Sequence, residues 1–134
     1  MGYQLGDKVG YRVRFQEQLS QETRVKFLTD GMLLREAILD PKLSRYAVVV
    51  LDEAHERTVN SDVLLAIVKD IAKTVRKDLK IVIMSATLEI PKFRGYFGDL
   101  QAQADEAPEA KPDNLVKVEG RTFAIEILHC IHPQ

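Results

Sequence analysis

The sequence predicts an α/β protein in which parallel strands alternate with helices. Its 134 residues are 46% hydrophobic and 29% charged, which is typical of one soluble domain with a core of modest size. Two largely apolar runs, residues 47 to 51 and 80 to 84, have the pattern of strands buried in a parallel sheet. Between them, apolar residues recur at helical spacing. This order of elements predicts two parallel strands joined by a helix.

Two further strands are predicted near the N-terminus. Residues 8 to 15 alternate between apolar and basic side chains, so this strand should be half exposed. The alternation assigns Phe15 to the apolar face. It assigns Arg12 and Arg14 to the other face, where a solvated side chain is the ordinary expectation. Residues 25 to 28 form the second run of strand character.

A helix is predicted after each of the last three strands. The first is capped by Thr29 or Asp30 and ends before Pro41, because proline disfavours continuation. The second follows residues 58 to 62 and has about four turns. The core stripe of this second helix consists of Leu64, Ile67, Val68, Ile71 and Val75. The third helix is short and begins at Pro91.

The composition changes near the C-terminus. Residues 101 to 114 contain no aromatic or β-branched side chain, so they cannot bury enough apolar surface to offset the entropy of ordering. We expect a disordered acidic insertion there. It would separate a first unit, residues 1 to 100, from a strand region at residues 115 to 134. Within that region, residues 116 to 118 and 123 to 128 have strand character.

Several classes of protein and site are disfavoured. The longest apolar run, residues 63 to 68, is far shorter than the ~20 residues needed to cross a bilayer, and no signal-peptide core is present. A single cysteine, Cys130, excludes an internal disulfide and favours a reducing compartment. His129, Cys130 and His132 lack the usual spacing of zinc ligands. The formal net charge of −1 argues little about nucleic-acid binding.

The most informative stretch is Leu51-Asp52-Glu53-Ala54-His55-Glu56-Arg57. The preceding apolar strand would deliver Asp52 and Glu53 to the carboxyl edge of a sheet, where ligands bind in open α/β folds. One carboxylate can hold Mg²⁺ through water while its neighbour polarises the water that attacks a γ-phosphate. The alternative is that both residues merely end a strand and cap the next helix.

Three other motif segments accompany this acidic stretch. They are Val9-Gly10-Tyr11-Arg12-Val13-Arg14-Phe15, Thr29-Asp30-Gly31-Met32-Leu33-Leu34-Arg35-Glu36 and Ser85-Ala86-Thr87. Together, the four segments resemble the first RecA-like domain of DEAH-box RNA helicases in order and spacing. The resemblance covers residues 4 to 99 and continues weakly at 118 to 127. It implies a RecA-like fold of the P-loop NTPase type, a parallel sheet with flanking helices.

The resemblance also implies cofactors, partners and roles. ATP and Mg²⁺ would be the cofactors, with Asp52 holding Mg²⁺ through water and Glu53 activating the attacking water. His55, Ser85 and Thr87 would couple hydrolysis to motion between domains. The residues expected near RNA are Arg14, Thr29, Asp30 and Gly31. Further expectations are a helicase-activating accessory protein, a role either in mRNA processing by splicing or in ribosome assembly, and a nuclear location.

Structural alternatives stay open for two of these segments. Simple turn chemistry would account for Gly31, and helix capping would account for Ser85 and Thr87.

One departure from the family concerns the loop that binds the phosphates of the nucleotide. The sequence contains no Gly-x-x-x-x-Gly-Lys-Ser/Thr loop, whose amides and lysine hold the phosphates. The strand before that loop and a second RecA-like domain should also be missing, so the chain alone should hydrolyse no ATP. We therefore expect a fragment of an ATP-dependent RNA helicase, a truncated gene model or an inactive product. The alternative function is a non-catalytic fragment that binds RNA or protein.

Overall fold

The structure is a computed structural model with two compact units, residues 1 to 104 and residues 105 to 134. It describes residues 2 to 86, 90 to 104, 114 to 118, 120 and 125, without the side chains of residues 99 and 101 to 104. Every strand and helix given below lies in the first unit.

In the part of the chain that the structure describes, five strands form two sheets. They are β1 (Val9–Val13), β2 (Gln16–Gln18), β3 (Val25–Leu28), β4 (Val48–Leu51) and β5 (Lys80–Ile83). The first sheet has the order β2-β1-β3, in which β1 is antiparallel to β2 and parallel to β3. In the second sheet, β4 pairs in parallel with β5. The prediction of an α/β fold with parallel strands is confirmed, although no ladder joins the two sheets among the described residues.

The described residues also form three α-helices, which connect or follow the strands. They are α1 (Asp30–Leu39), α2 (Val59–Asp70) and α3 (Ile90–Ala104), and α2 continues into a π-helical turn, Ile71–Val75. The predicted long helix after the acidic motif is therefore confirmed. Leu64 and Val68 of its stripe are fully buried, but Val75 is half exposed at the end of the π-helical turn. No helix in the described part of the chain is long and apolar enough to cross a membrane.

The hydrophobic core lies between the helices and one face of the sheets. Helices α1 and α2 pack on each other, and α2 packs on β4. On β4, Val49 and Leu51 are buried at 5% and 6% exposure, whereas Val48 and Val50 are about half exposed at 48% and 50%. The prediction that β4 is buried on both faces is therefore wrong, because in the described residues helices cover only one face.

The N-terminal strand is shorter than predicted. It ends at Val13, and Arg14 and Phe15 form the turn of a hairpin into β2. Phe15 is 94% exposed, so its assignment to the apolar face is wrong. The chain reverses direction at this turn, and the alternation of faces cannot continue past it. Strand β2 was not predicted, because its three residues are all polar and exposed.

The C-terminal predictions are partly corrected. Helix α3 has 15 residues rather than being short, and it includes residues 101 to 104, which were assigned to the disordered insertion. Residues 116 to 118 belong to no strand, and Val116 and Val118 are 83% and 84% exposed. Apart from Asn114, the rest of the predicted insertion lies outside the described residues, as does the predicted strand at 123 to 128 apart from Ile125.

Candidate functional site

The motif segments lie at the carboxyl ends of the parallel strands. Asp52 and Glu53 directly follow β4, and Ser85 follows β5 closely. Parallel pairing brings these two strand ends together, since Leu51 is opposite Ile83. The amide of Met84 then donates to the carbonyl of Leu51 at 2.8 Å, which extends the ladder beyond the strands. The edge predicted from the sequence is therefore formed.

The turn after β4 holds Asp52 and Glu53 in a defined backbone conformation. The Ala54 amide donates to the Met84 carbonyl at 3.0 Å and ties the turn to the end of β5. Glu53 has left-handed backbone angles, with φ of 50° and ψ of 35°, which few non-glycine residues adopt. Its amide donates to Asp52 Oδ1 at 2.9 Å. Both carboxylates are exposed, so they can reach a ligand in the solvent.

His55 lies between the acidic motif and the segment after β5. Its Nδ1 is 3.3 Å from Glu53 Oε2 and 3.4 Å from the amide nitrogen of Ala86. A neutral imidazole nitrogen either donates or accepts, so Nδ1 can accept from Ala86 in one tautomer or donate to Glu53 in the other. The histidine can thus engage one of these partners at a time. Ser85 lies next to this contact, whereas Thr87 lies outside the described residues.

An exposed ion pair joins Arg57, the last residue of the acidic stretch, to α2. Arg57 Nε and Nη2 donate to Asp62 Oδ1 and Oδ2 at 2.6 and 3.0 Å. The hydrogen bonds from Arg57 hold the pKa of Asp62 below its ordinary value. Thr58 caps α2, since its Oγ1 accepts from the Ser61 amide at 3.1 Å. This pair was not predicted, although the close spacing of an arginine and an aspartate in the sequence is a signal for it.

The start of α1 presents backbone amides at the carboxyl end of β3. Thr29 occupies the N-cap position, one of the two predicted, although its side chain makes no capping hydrogen bond. Its carbonyl accepts from Met32 and Leu33, at 2.9 and 3.1 Å. The amides of Asp30 and Gly31 precede these bonds and have no partner within the helix. Such amides can hold a phosphate, the role predicted for this turn.

Arg14 lies at the same edge of the first sheet as this turn. Strands β1 and β3 are parallel with Arg12 opposite Leu28, so Arg14 and Thr29 both follow the carboxyl ends of adjacent strands. The structure therefore brings together the four residues predicted near RNA, which are Arg14, Thr29, Asp30 and Gly31. A second, separate group lies at the end of the second sheet. It consists of Asp52, Glu53, His55 and Ser85.

A charged cluster fixes α1 against the first sheet. Glu36 Oε1 accepts from Lys26 Nζ at 2.5 Å and from Arg12 Nη1 at 3.3 Å, and Oε2 accepts from the Tyr46 hydroxyl. Burial raises the pKa of Glu36, but the hydrogen bonds from Lys26 and Tyr46 outweigh it and leave the pKa below its ordinary value. The cluster ties the second half of α1 to β1, β3 and the loop before β4. The interpretation of Arg12 as a merely solvated side chain is wrong.

The carboxylates after β4 fit the way proteins bind Mg²⁺ with nucleotide. Mg²⁺ in such sites takes one or two protein carboxylates and completes its shell with water and phosphate oxygens. Asp52 and Glu53 supply exposed oxygens of this kind. In the described ranges, no group of three or more His, Cys, Asp or Glu side chains could hold a metal ion. The arrangement thus suits a cation shared with a ligand rather than a closed protein cage.

Comparisons with known proteins agree with this geometry. A family model described as DEAD/DEAH box helicase matches residues 4 to 94. The chain is 41% identical to the Escherichia coli DEAH/RHA helicase HrpB over 71% of its length, with a TM-score of 0.66. A second structure, of the E. coli DExH-box NTPase HrpB, is 40% identical over 73% of the chain, with a TM-score of 0.68.

The chain corresponds to only a small part of these relatives, because each match covers 12% of the HrpB chain. The family match nevertheless spans most of the 134 residues. The parallel strands and flanking helices likewise agree with the RecA-like fold of these helicases. The chain therefore belongs to the DEAD/DEAH box helicase family, as part of the first RecA-like domain of a DExH-box helicase.

Proposed function

We propose that this chain is part of an ATP-dependent RNA helicase and contributes the water-activating site and a portion of the RNA path. The observation that supports the proposal most strongly is the position of His55 Nδ1, within 3.4 Å of both Glu53 Oε2 and the Ala86 amide. The same ring nitrogen can therefore contact either the carboxylate of the proposed hydrolysis site or the segment after β5. The complete helicase would use ATP hydrolysis to unwind RNA or to remodel ribonucleoproteins.

Asp52 and Glu53 divide the chemistry of hydrolysis in this proposal. Asp52 would hold Mg²⁺ through water, with Oδ1 already oriented by the Glu53 amide. Mg²⁺ bound to ATP would neutralise the charge that develops on the phosphate oxygens. Glu53 would accept a proton from the attacking water. A change at Glu53 would then alter its pairing with His55, and Ser85 and Thr87 would transmit the change as coupling residues.

RNA would bind along the edge of the first sheet. The amides at Asp30 and Gly31 would hold a backbone phosphate at the start of α1, beside Thr29. Arg14 would contribute positive charge from the adjacent hairpin turn, where it is exposed. This arrangement needs no strongly basic surface, which agrees with the formal net charge of −1.

The test of the hydrolysis site uses a helicase that carries this segment together with a phosphate loop. Glu53→Gln should keep ATP binding but lower turnover about 10²- to 10⁴-fold, the usual contribution of a general base. Glu56→Gln is the matched control, because it removes the same charge from an exposed neighbour in the same turn. If Glu53→Gln retained turnover within about twofold of the parent, Glu53 would not be the base.

The second candidate function is that of a non-catalytic fragment that binds RNA or protein. The observation in its favour is that these 134 residues contain no phosphate loop. Sequencing the 5′ end of the transcript separates the two functions, since an upstream phosphate loop favours the helicase. Binding of MgATP by the 134-residue chain, measured by calorimetry, should be very weak in either case.

We also propose an accessory protein that activates the helicase, mRNA processing as its role and the nucleus as its location. These three proposals rest on the sequence resemblance alone. The similar structures are of a protein from Escherichia coli, which has no nucleus, and they lend no support to the location. Microscopy of the tagged protein in its own cells tests the location, and affinity purification from those cells tests the partner.

A further inference from the structure

The turn between β1 and β2 exposes an aromatic side chain that packing does not explain. Phe15 is 94% exposed, more than any other large hydrophobic side chain in the described residues. The Arg14 guanidinium lies over its ring, with Cζ at 4.9 Å from the centroid. A ring that contacts solvent and one cation contributes little to a hydrophobic core. Phenylalanine at this position therefore calls for another explanation.

The backbone at Phe15 does not favour phenylalanine either. Val13 pairs with Gln16, so Arg14 and Phe15 are the two central residues of a tight turn. Phe15 has a φ of 70°, in the left-handed region where glycine or asparagine is preferred at this turn position. A bulky side chain there is strained. Such strain at an exposed residue is a recognised sign of function, because neither burial nor turn geometry selects the side chain.

The location of the turn indicates which kind of ligand could contact the Phe15 ring. Arg12 of β1 is opposite Leu28 of β3, so the hairpin turn lies beside the start of α1. The turn leads from β1 toward β2, on the side of β1 away from β3, and it lies at the same edge of the sheet as the amides proposed to hold a phosphate. A single-stranded nucleic acid held there by its backbone would carry bases within reach of Phe15. Aromatic rings and arginine planes are the usual platforms for unpaired bases.

We propose that Phe15 is a stacking platform for an unpaired base of bound RNA, with the Arg14 guanidinium contributing cation–π attraction. The platform rests on the proposed RNA-binding function. It adds a base contact to a site otherwise built from phosphate contacts. Because every base has a π-face, the contact would favour single-stranded over paired RNA without selecting a sequence.

The absence of tryptophan in the sequence allows a direct test on the 134-residue chain. Phe15→Trp would place one fluorescent reporter at the platform. We expect saturable quenching of this tryptophan by a short single-stranded RNA. A ribose-phosphate strand of the same length without bases should bind through its phosphates and leave the fluorescence unquenched. Equal quenching by both strands, or by neither, would overturn the proposal.

Ile38→Trp is the matched control, since Ile38 is 77% exposed on α1 but lies toward the other end of that helix. Its fluorescence should not respond to either strand. In parallel, Phe15→Ala should weaken binding of the base-containing strand about 5- to 150-fold in an anisotropy assay and leave the abasic strand unaffected. Circular dichroism checks that the variants fold alike.

The outcomes separate the platform from the proposed function. If Phe15→Ala binds RNA as tightly as the unchanged chain, the platform is overturned while RNA binding stands. If the unchanged chain binds neither strand, the proposed RNA-binding function fails and the platform fails with it. A weaker affinity of Phe15→Ala for both strands alike would show that Phe15 acts on the fold of the turn rather than on a base.

Discussion

Glu36 illustrates how one side chain can hold a functional edge in place. Its carboxylate receives hydrogen bonds from β1, β3 and the loop before β4, through Arg12, Lys26 and Tyr46. The side chains of Lys26 and Glu36 are each 16% exposed, so their charges are largely removed from water. Loss of one partner would leave the other charge without compensation. The position of α1, and hence of its amides, depends on this residue.

We predict that Glu36→Gln lowers the free energy of unfolding by about 1–3 kcal/mol at neutral pH, the cost of leaving buried donors without a charged acceptor. The folded-state pKa of Glu36 is depressed below its ordinary value of 4.5. Its stabilisation is therefore present above that value and lost as the pH falls through the folded-state pKa.

The difference between Glu36→Gln and the unchanged chain should accordingly shrink in acid. Urea unfolding at a series of pH values measures it. Glu22→Gln, at an exposed position outside the cluster, is the control and should match the unchanged chain throughout. Identical unfolding curves for Glu36→Gln and the unchanged chain at neutral pH would contradict the prediction.

Elements with strong apolar periodicity followed from the sequence, whereas the tertiary contacts of polar side chains did not. The strands β3, β4 and β5 and the helices α1 and α2 were all predicted, because their patterns reflect which residues can be buried. Arg76 is a counterexample. Its charge and its position outside the apolar stripe of the second helix favour a solvated side chain. Its guanidinium nevertheless donates to the carbonyls of Leu43 and Tyr46, both at 3.1 Å. No periodic pattern indicates partners so distant in the sequence.

The candidate site was predictable to a similar extent. The motifs placed Asp52 and Glu53 at a strand end, and the structure agrees. The left-handed backbone of Glu53 and the tie between Ala54 and Met84 were not predictable, since both depend on the neighbouring strand. The exposed position of Phe15 was missed for the same reason, because the chain reverses where local alternation suggested a continued strand.

Gly31 in the first turn of α1 provides a prediction at the scale of the helix. A Cβ there would meet nothing closer than Asn60 Nδ2 at 4.0 Å, so the fold itself has room for alanine. Gly31→Ala should stabilise the chain by up to about 1 kcal/mol, from helix propensity. The same methyl group would obstruct a phosphate at the backbone amides, so RNA binding should weaken about 10- to 100-fold, as for loss of a charge-assisted hydrogen bond.

Thermal unfolding and fluorescence anisotropy with labelled single-stranded RNA measure the two effects. Gly95→Ala is the control in α3, where an added Cβ likewise meets no atom within 4 Å. It should increase stability without changing RNA binding. Simple turn chemistry at Gly31 would instead predict unchanged RNA affinity in both variants, and that result would count against the phosphate site.

At the scale of the whole molecule, the second sheet has an exposed apolar face and an unpaired strand edge in the described residues. The match covers 12% of the HrpB chain, and within the described ranges the five strands form two separate sheets. The face of the second sheet away from α2 exposes apolar side chains, with Val50 at 50% and Val82 at 42%. In the described residues β5 also has no neighbour on its second edge. A parallel sheet is ordinarily covered on both faces and extended at such an edge.

We therefore predict that the isolated chain self-associates through β5, because an apolar edge strand with unpaired backbone groups is a template for intermolecular pairing. Val82→Lys should shift it toward the monomer by placing a charge on that strand. Val63→Lys, at 44% exposure on α2, is the control and should associate like the unchanged chain. Light scattering over a concentration series measures the masses. If the unchanged chain were a monodisperse monomer at all concentrations, the edge of β5 would be protected. If both variants associated equally, contacts other than β5 would drive assembly.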